Sequence, residues 1–306
     1  MGGVYINPFT DFGFKKIFGE EASKAILIDF LNALLSEKAG TIKDLWFKNS
    51  EQLGQATDSK SVIFDIYCEN EHGERFIVEM QKNKQDWFRE RTVYYSTFPI
   101  RDQIGKGAET YNLKAVYCIG VLDFIFMDFE TEAEKKAWRH EIKLKNQFGS
   151  TFYDKLTFIF LVMPNFHKKE EELETQLDKW LFFIKNLKNF EHIPKIFKGE
   201  VVFDDAFHKA EIASLTVSQY EKYIENVRII MDYDAGLKSA AREGMERGRE
   251  IGIELGRQEG RQEGRQEGQR ESALAIAKSL LDNGIAIDII AKSTGFTESE
   301  IDLLGK

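Results

Sequence analysis

Two neighbouring segments of the chain, residues 63–69 and 75–81, alternate strictly between two sets of side chains. The positions that share one face are apolar: Phe64, Ile66, Cys68, Phe76, Val78 and Met80. The positions on the other face are mostly polar: Asp65, Tyr67, Glu69, Arg75, Ile77, Glu79 and Gln81. A repeat of two residues is typical of a half-buried β-strand. The loop Glu71-His72-Gly73 between them ends in glycine, which favours a hairpin.

The hairpin register predicts a pair of facing carboxylates. When the chain is folded about His72, Asp65 lies directly opposite Glu79, with their Cβ atoms about 5 Å apart. Two carboxylates at that distance repel each other unless a cation lies between them, and a divalent metal would satisfy both. Gln81 points the same way as Glu79. The alternative is an ordinary polar face of a hairpin, on which like charges also occur.

The remaining pattern predicts an α/β fold. Helices are expected over residues 22–37, 86–104, 169–189 and 218–234, and the charged residues 130–148 also favour a helix. Strands are expected at Ile42–Phe47 and within the apolar stretches Leu113–Met127 and Leu156–Met163. The resulting order α-β-β-β-α-β fits a mixed sheet with helices on both faces.

The C-terminal part has a different pattern. Glycine recurs every four residues from Gly244 to Gly268, within the charged stretch 242–270. Each glycine inside a helix costs about 1 kcal/mol relative to alanine, so an isolated helix is disfavoured. A close helix–helix contact between subunits would use such a stripe, and a flexible linker is the alternative. Residues after 271 predict a small module that resembles a helix-turn-helix in layout. Its acidic charge favours packing or a partner protein over DNA reading.

Composition limits the function classes. The 306 residues are 42% hydrophobic and include 25 Phe, so a full core can form. No apolar run is long enough to cross a membrane, and no signal peptide is predicted, so a cytoplasmic location is expected. Cys68 and Cys118 are interpreted as small buried apolar residues, and the five His have no zinc-ligand spacing. The net charge is −9, yet residues 75–114 are rich in Lys and Arg, which suits either phosphate contacts or a solvated helix face.

At these residues the chain resembles a known family. Asp65, the hairpin and Glu79-Met80-Gln81 are similar to the PD-(D/E)xK nuclease motif, with Gln81 where Lys is usual. The surrounding sequence resembles the transposase-like members, also called recombination-promoting nucleases, from about residue 5 to about residue 235. The segments that carry this resemblance are Asn7–Gly19, Phe64–Glu69, Ile77–Lys82, Arg91–Tyr95 and Lys179–Lys185.

The resemblance implies a restriction-endonuclease-like core, a mixed sheet flanked by helices, with a helical C-terminal tail. We therefore divide the chain into a nuclease-like domain (1–235), a glycine-rich tail (236–270) and a small helical module (271–306). A Mg²⁺ ion, or Mn²⁺ in its place, would be held by Asp65, Glu79 and the Met80 carbonyl, with Gln81 as the third catalytic position.

Further candidates follow from the same resemblance. Asp11 would approach the metal, although a helix N-cap explains it equally well. Lys15, Arg91, Tyr95 and Gln103 are candidate DNA contacts, and for each a core or surface role is the alternative.

The expected function is metal-dependent cleavage of DNA with low sequence preference. DNA is the expected partner, no membrane is expected, and residues 242–270 are a candidate homo-oligomer contact. A strand-transferring transposase is disfavoured because the chain lacks a separate basic domain. The competing hypothesis is a weak or inactive nuclease fold that acts as an oligomeric interaction module. The neutral Gln81 and the acidic net charge favour this alternative, whereas the presence of both Asp65 and Glu79 opposes it.

Overall fold

A six-stranded mixed sheet organises the N-terminal part of the chain. The computed structural model describes residues 3–35, 40–52, 62–105, 110–125 and 131–304. The strands are β1 (Leu45–Phe47), β2 (Glu51–Gln52), β3 (Val62–Ile63), β4 (Ile66–Asn70), β5 (Arg75–Gln81), β6 (Val116–Leu122), β7 (Arg139–Lys145) and β8 (Thr151–Val162). The large sheet has the order β1-β4-β5-β6-β8-β7, and β2 and β3 form a separate two-stranded sheet.

Helices cover the sheet and form the C-terminal part. They are α1 (Asp11–Phe18), α2 (Lys24–Leu35), α3 (Phe88–Arg101), α4 (Glu132–Lys136), α5 (Gln176–Asn186), α6 (Val201–Ala210), α7 (Val217–Asp282), α8 (Ile287–Thr294) and α9 (Glu298–Leu304). The chain divides into two compact units, Met1–Ile230 and Met231–Lys306. None of the described helices is long and apolar enough to span a membrane.

The predicted hairpin and its register are confirmed. β4 and β5 are antiparallel, with Ile66 opposite Val78 and Cys68 opposite Phe76. β5 then pairs in parallel with β6, and β6 with β8. Parallel strands in the middle of a sheet are normally covered on both faces, and every residue of β6 is buried.

Burial of both faces corrects the prediction of a half-buried hairpin. Ile66, Cys68 and Phe76 belong to the larger apolar cluster, which includes residues of α1, α2, α5 and α6. Tyr67 and Ile77 belong to a second cluster with residues of α3. Phe64 also lies in this second cluster, opposite to the predicted face, because the strand ladder begins only at Ile66.

Two other predictions differ from the structure. Residues 131–148 are not one helix, because the short α4 is followed by strand β7, which pairs with β8 at the edge of the sheet. The helix predicted at 218–234 is the beginning of α7, which continues to Asp282. Some residues of the predicted elements lie outside the described residues. They are residues 36–37, 126–127 and 130, together with Lys106 and Gly107.

The C-terminal unit has only a small core. Ala277, Ile290 and Ile301 are its fully buried apolar residues. Thr297 and Glu300 form a capping box at the start of α9, in which the Thr297 N–H donates to Glu300 Oε2 at 2.9 Å. The glycines from Gly244 to Gly268 lie in α7, and among the described residues a Cβ added at any of them would meet no atom within 4 Å beyond the helix's own nearby backbone.

Candidate active site

The hairpin brings Asp65 and Glu79 into direct reciprocal contact. Asp65 lies immediately before β4, where its N–H donates to Glu79 Oε1 at 3.1 Å. The Asp65 Oδ2 accepts a hydrogen bond from the Met80 N–H at 2.8 Å. Each carboxylate is therefore held by a backbone N–H of the opposite arm. The facing arrangement that the register predicts is present, although Asp65 itself stands just outside the strand ladder.

The two acids share a buried environment that disfavours two negative charges. Burial raises the pKa of Asp65 to about 6, against the lowering effects of the Met80 N–H and of Lys15. Burial and then the negative charge of Asp65 raise the pKa of Glu79 to about 8. The folded pair therefore favours a retained proton over two full negative charges. Such a pair of carboxylates favours the binding of a positive ion.

Helix α1 supplies a lysine to this pair. Thr10 caps the helix, since its hydroxyl accepts a hydrogen bond from the Gly13 N–H at 2.9 Å. Lys15 Nζ lies 2.6 Å from Asp11 Oδ1 and 3.7 Å from Asp65 Oδ1. Asp11 is thus the first residue of α1 and the ion-pair partner of Lys15, and the N-cap interpretation of Asp11 is wrong.

A small cavity beneath α3 adjoins Glu79. Gln81, Arg91 and Tyr95 also line it, so the structure brings these three predicted residues to the same place as Glu79. Arg91 hydrogen-bonds the side chain of Gln85, and its guanidinium carbon lies 5.6 Å from the centre of the Tyr95 ring. Its positive charge also lowers the pKa of Glu79, although less than burial raises it.

Tyr95 combines a core contact with a place in this cavity. Its ring packs edge-on against Phe64, with 5.4 Å between the ring centres. Burial raises the pKa of its hydroxyl above the ordinary value. The ring therefore helps to hold α3 over the sheet while it borders the carboxylate pair.

Gly120 is a residue of this site that the sequence interpretation missed. It is the partner of Glu79 in the register between β5 and β6. A Cβ at this position would lie only 2.9 Å from Cδ1 of Phe160, so a side chain does not fit beside Glu79 without a shift. A lone glycine inside the apolar stretch Val116–Leu122 was the available signal, because such a glycine marks a close approach.

Two other residues lie away from the pair. Gln103 uses both ends of its amide to join α3 to the segment before β6, donating to the Pro99 carbonyl at 3.1 Å and accepting from the Lys114 N–H at 2.6 Å. Lys82 follows β5 and pairs with Asp123 at 3.5 Å. Neither residue is brought to Asp65 and Glu79 by the structure.

The donor set at the pair suits a hard divalent cation. Within the described ranges, no three His, Cys, Asp or Glu side chains are grouped to hold a metal. Mg²⁺ commonly uses one or two carboxylates and keeps several waters, so two carboxylates are sufficient. The N–H and C=O of one strand residue leave the backbone on the same side. Because the Met80 N–H bonds Asp65, the Met80 carbonyl faces that side as well.

The C-terminal module matches a known domain. Residues 270–306 match the model of the Rpn/YhgA-like nuclease family, C-terminal HTH domain. The helix-turn-helix layout is therefore confirmed, and this match counts against the interpretation of the module as a packing or partner element rather than a DNA reader. The chain has no significant match among curated proteins or solved structures.

The larger part of the chain matches a second model. Residues 8–240 match PD-(D/E)XK nuclease family transposase, and this range includes the hairpin, α1 and α3. The match covers well over half of the 306 residues. The sheet order, the facing carboxylates and Gln81 agree with the resemblance found in the sequence. The chain belongs to the PD-(D/E)XK nuclease family transposases.

Proposed function

We propose that this protein is a metal-dependent DNA endonuclease that hydrolyses phosphodiester bonds with low sequence preference. The observation that carries the proposal is the contact between Asp65 and Glu79, each carboxylate being fixed by a backbone N–H of the other arm. The two buried carboxylates face each other, which favours a cation between them, and Lys15 pairs with Asp65 at 3.7 Å. The helix-turn-helix domain adds support for DNA as the partner.

In this proposal Asp65 and Glu79 hold Mg²⁺ or Mn²⁺, and the Met80 carbonyl is a third ligand. The bound ion would lower the pKa of a coordinated water and stabilise charge on the phosphate. Gln81 orients a water through its amide, but it contributes no charge. Lys15 supplies the positive charge that the motif position lacks, because its ammonium group already lies at the Asp65 carboxylate.

Plasmid nicking tests the proposal. Supercoiled DNA is incubated with full-length protein in Mg²⁺, Mn²⁺ or EDTA, and Asp65→Ala and Glu79→Ala are compared with wild type. The matched control is Glu69→Ala, which removes another hairpin carboxylate, one that pairs with Arg75 at 3.2 Å. We expect metal-dependent nicking that both site variants lose and that Glu69→Ala retains. Nicking that survives in both site variants would reject this assignment.

A binding measurement separates a missing metal site from missing chemistry. A ligand that binds only the folded protein at 100 times its dissociation constant stabilises it by about 2.7 kcal/mol. We expect Mg²⁺ or Mn²⁺ to raise the melting temperature of wild type but not of Asp65→Ala. A shift in wild type without any nicking would favour the alternative of an inactive nuclease fold, for which the neutral Gln81 is the supporting observation.

A further inference from the structure

A groove in the N-terminal unit opens onto Asp65 from the side opposite to α3. Asp11 and Lys15 of α1 line one wall of the groove, and residues at the beginning of α7 line the other wall. The α7 residues that line it include Ser218, Lys222 and Asn226, which are spaced four residues apart and therefore share one helix face. A substrate that reaches Asp65 through this groove must pass along that face of α7.

The two walls are fixed to each other by specific hydrogen bonds. The Phe12 N–H at the start of α1 donates to Asn226 Oδ1 at 2.9 Å. The Asn7 N–H donates to the Tyr223 hydroxyl at 3.1 Å, and the Tyr223 ring lies 6.2 Å from that of Phe12. Because these partly buried hydrogen bonds tie α7 to α1 and to the segment before it, the position of Lys222 relative to the groove is defined by the fold.

The charges along the groove distinguish Lys222 from the other lysines. Lys15 is paired with Asp11 and Asp65, and Lys16 is paired with Glu20 at 3.2 Å. Lys222 is exposed on the α7 face and makes no ion pair with any residue that the structure describes. Lys222 is therefore the groove lysine without an ion-pair partner among the described residues, in a groove that the carboxylates of Glu20 and Glu225 also line.

We infer that Lys222 is a phosphate-binding position of the substrate groove, which contacts the backbone of a nucleic acid as it approaches Asp65. The inference rests on the proposed function, because it takes the ligand to be a DNA backbone. Ser218, one turn earlier on the same face, offers a hydroxyl to the same phosphate or to its neighbour. A contact of this kind positions the duplex and carries no sequence information.

The test compares the full-length variants Lys222→Ala, Lys222→Arg and Arg228→Ala. Arg228 is a matched control, since it is an exposed cation of α7 six residues away that does not line the groove. Binding of a fluorescent duplex is followed by anisotropy in Ca²⁺ over a range of salt concentrations. Nicking kinetics in Mg²⁺ are measured over the same salt range, so that effects on KM and kcat are separated.

The slope of log affinity against log salt is negative, and loss of one phosphate contact reduces its magnitude by about 0.9. A variant that matches wild type at 1 M salt would then bind about 8-fold more weakly than wild type at 0.1 M salt. We expect Lys222→Ala to lose this much duplex affinity and to show a correspondingly higher KM with kcat unchanged, and Lys222→Arg and Arg228→Ala to resemble wild type. Equal affinity and salt slope in Lys222→Ala and wild type would overturn the inference, as would an equal loss in Arg228→Ala.

The two readouts separate this inference from the proposed function. Duplex binding that depends on Lys222, in a protein that nicks no DNA, would support the phosphate site and reject the endonuclease. Metal-dependent nicking with a Lys222→Ala variant that binds as wild type does would retain the endonuclease and reject the phosphate site. A wild-type protein that neither binds nor nicks duplex DNA would reject both.

Discussion

Different interactions stabilise two regions of the molecule. One region is the hairpin that carries Asp65 and Glu79, and the other is the glycine repeat of α7. The hairpin is covered by an apolar cluster on each face, and its neighbouring strand β6 is buried throughout. The repeat from Gly244 to Gly268 is exposed, and a Cβ added at any of its glycines would meet no atom of the described residues within 4 Å beyond the helix's own nearby backbone. One region is thus held by tertiary burial, and the other by the hydrogen bonds of its own helix.

This difference explains where chemistry can be placed in the molecule. The raised pKa values of Asp65 and Glu79 arise mainly from burial, and the exposed glycine repeat offers no comparably buried position. A helix with glycine at every fourth position provides no buried environment of this kind. Such a helix can connect two parts of the chain or contact another helix, but its residues remain in contact with solvent.

The largest effect is expected from the core of the N-terminal unit. Trp180 is fully buried, packs at 4.4 Å from the ring centre of Phe203, and donates its indole N–H to Asp29 Oδ1 at 2.6 Å. Trp180→Ala should lower the free energy of unfolding by about 3–5 kcal/mol, because it leaves a large cavity and removes this donor. Urea unfolding followed by near-ultraviolet circular dichroism reports this unit, since all four Trp precede residue 231.

The control for this prediction is the exposed Trp87, of which 76% is accessible to solvent. Trp87→Ala should change the unfolding free energy by less than about 0.5 kcal/mol. If the two substitutions had similar effects, burial would not be the source of order in this unit.

A second prediction concerns the charge of the carboxylate pair in EDTA. The pKa values of Asp65 and Glu79 are raised to about 6 and about 8 in the folded protein, so the folded state binds more protons than the unfolded state above pH of about 4. The contribution of these two carboxyls to the free energy of unfolding is therefore complete below their unfolded pKa values, and it decreases as the pH rises towards 8. Glu79→Gln should flatten this decrease, which chemical unfolding at a series of pH values would measure.

The isosteric substitution keeps the size of the side chain and removes its titration. An unchanged pH dependence in Glu79→Gln would show that other groups dominate it. The matched control is Glu69→Gln, in the same hairpin, whose pH curve should follow that of wild type in this range.

Sequence predicted the parts of the site that depend on local rules. The register of Asp65 and Glu79 follows from the two-residue repeat and the loop at His72, and both were confirmed by the pairing of β4 with β5. The face of Phe64 was predicted wrongly, because the repeat ends where Asp65 turns its backbone towards Glu79. Local alternation cannot indicate that a strand ladder stops one residue early.

Contacts between distant segments explain the other differences. The strand β7 lies in a charged stretch whose composition favours a helix, and only pairing with β8 makes it a strand. The role of Gly120 depends on Phe160 of the next strand, and that of Asn226 on α1, more than 200 residues earlier. Such partners become visible only when the segments are brought together.

The smallest effect is expected from the glycine repeat, and it bears most directly on the comparison. Gly252→Ala should stabilise α7 by about 1 kcal/mol, because alanine restricts the unfolded chain and no atom within 4 Å opposes the added Cβ. Helicity measured by far-ultraviolet circular dichroism should rise, while the mass in light scattering and the rate of plasmid nicking stay the same. If the variant instead loses mass, a second copy packs against this stripe, and the repeat, like the hairpin, is ordered by burial after all. Deletion of residues 242–270 is the companion measurement, since an unchanged number of subunits in light scattering would exclude the contact between subunits.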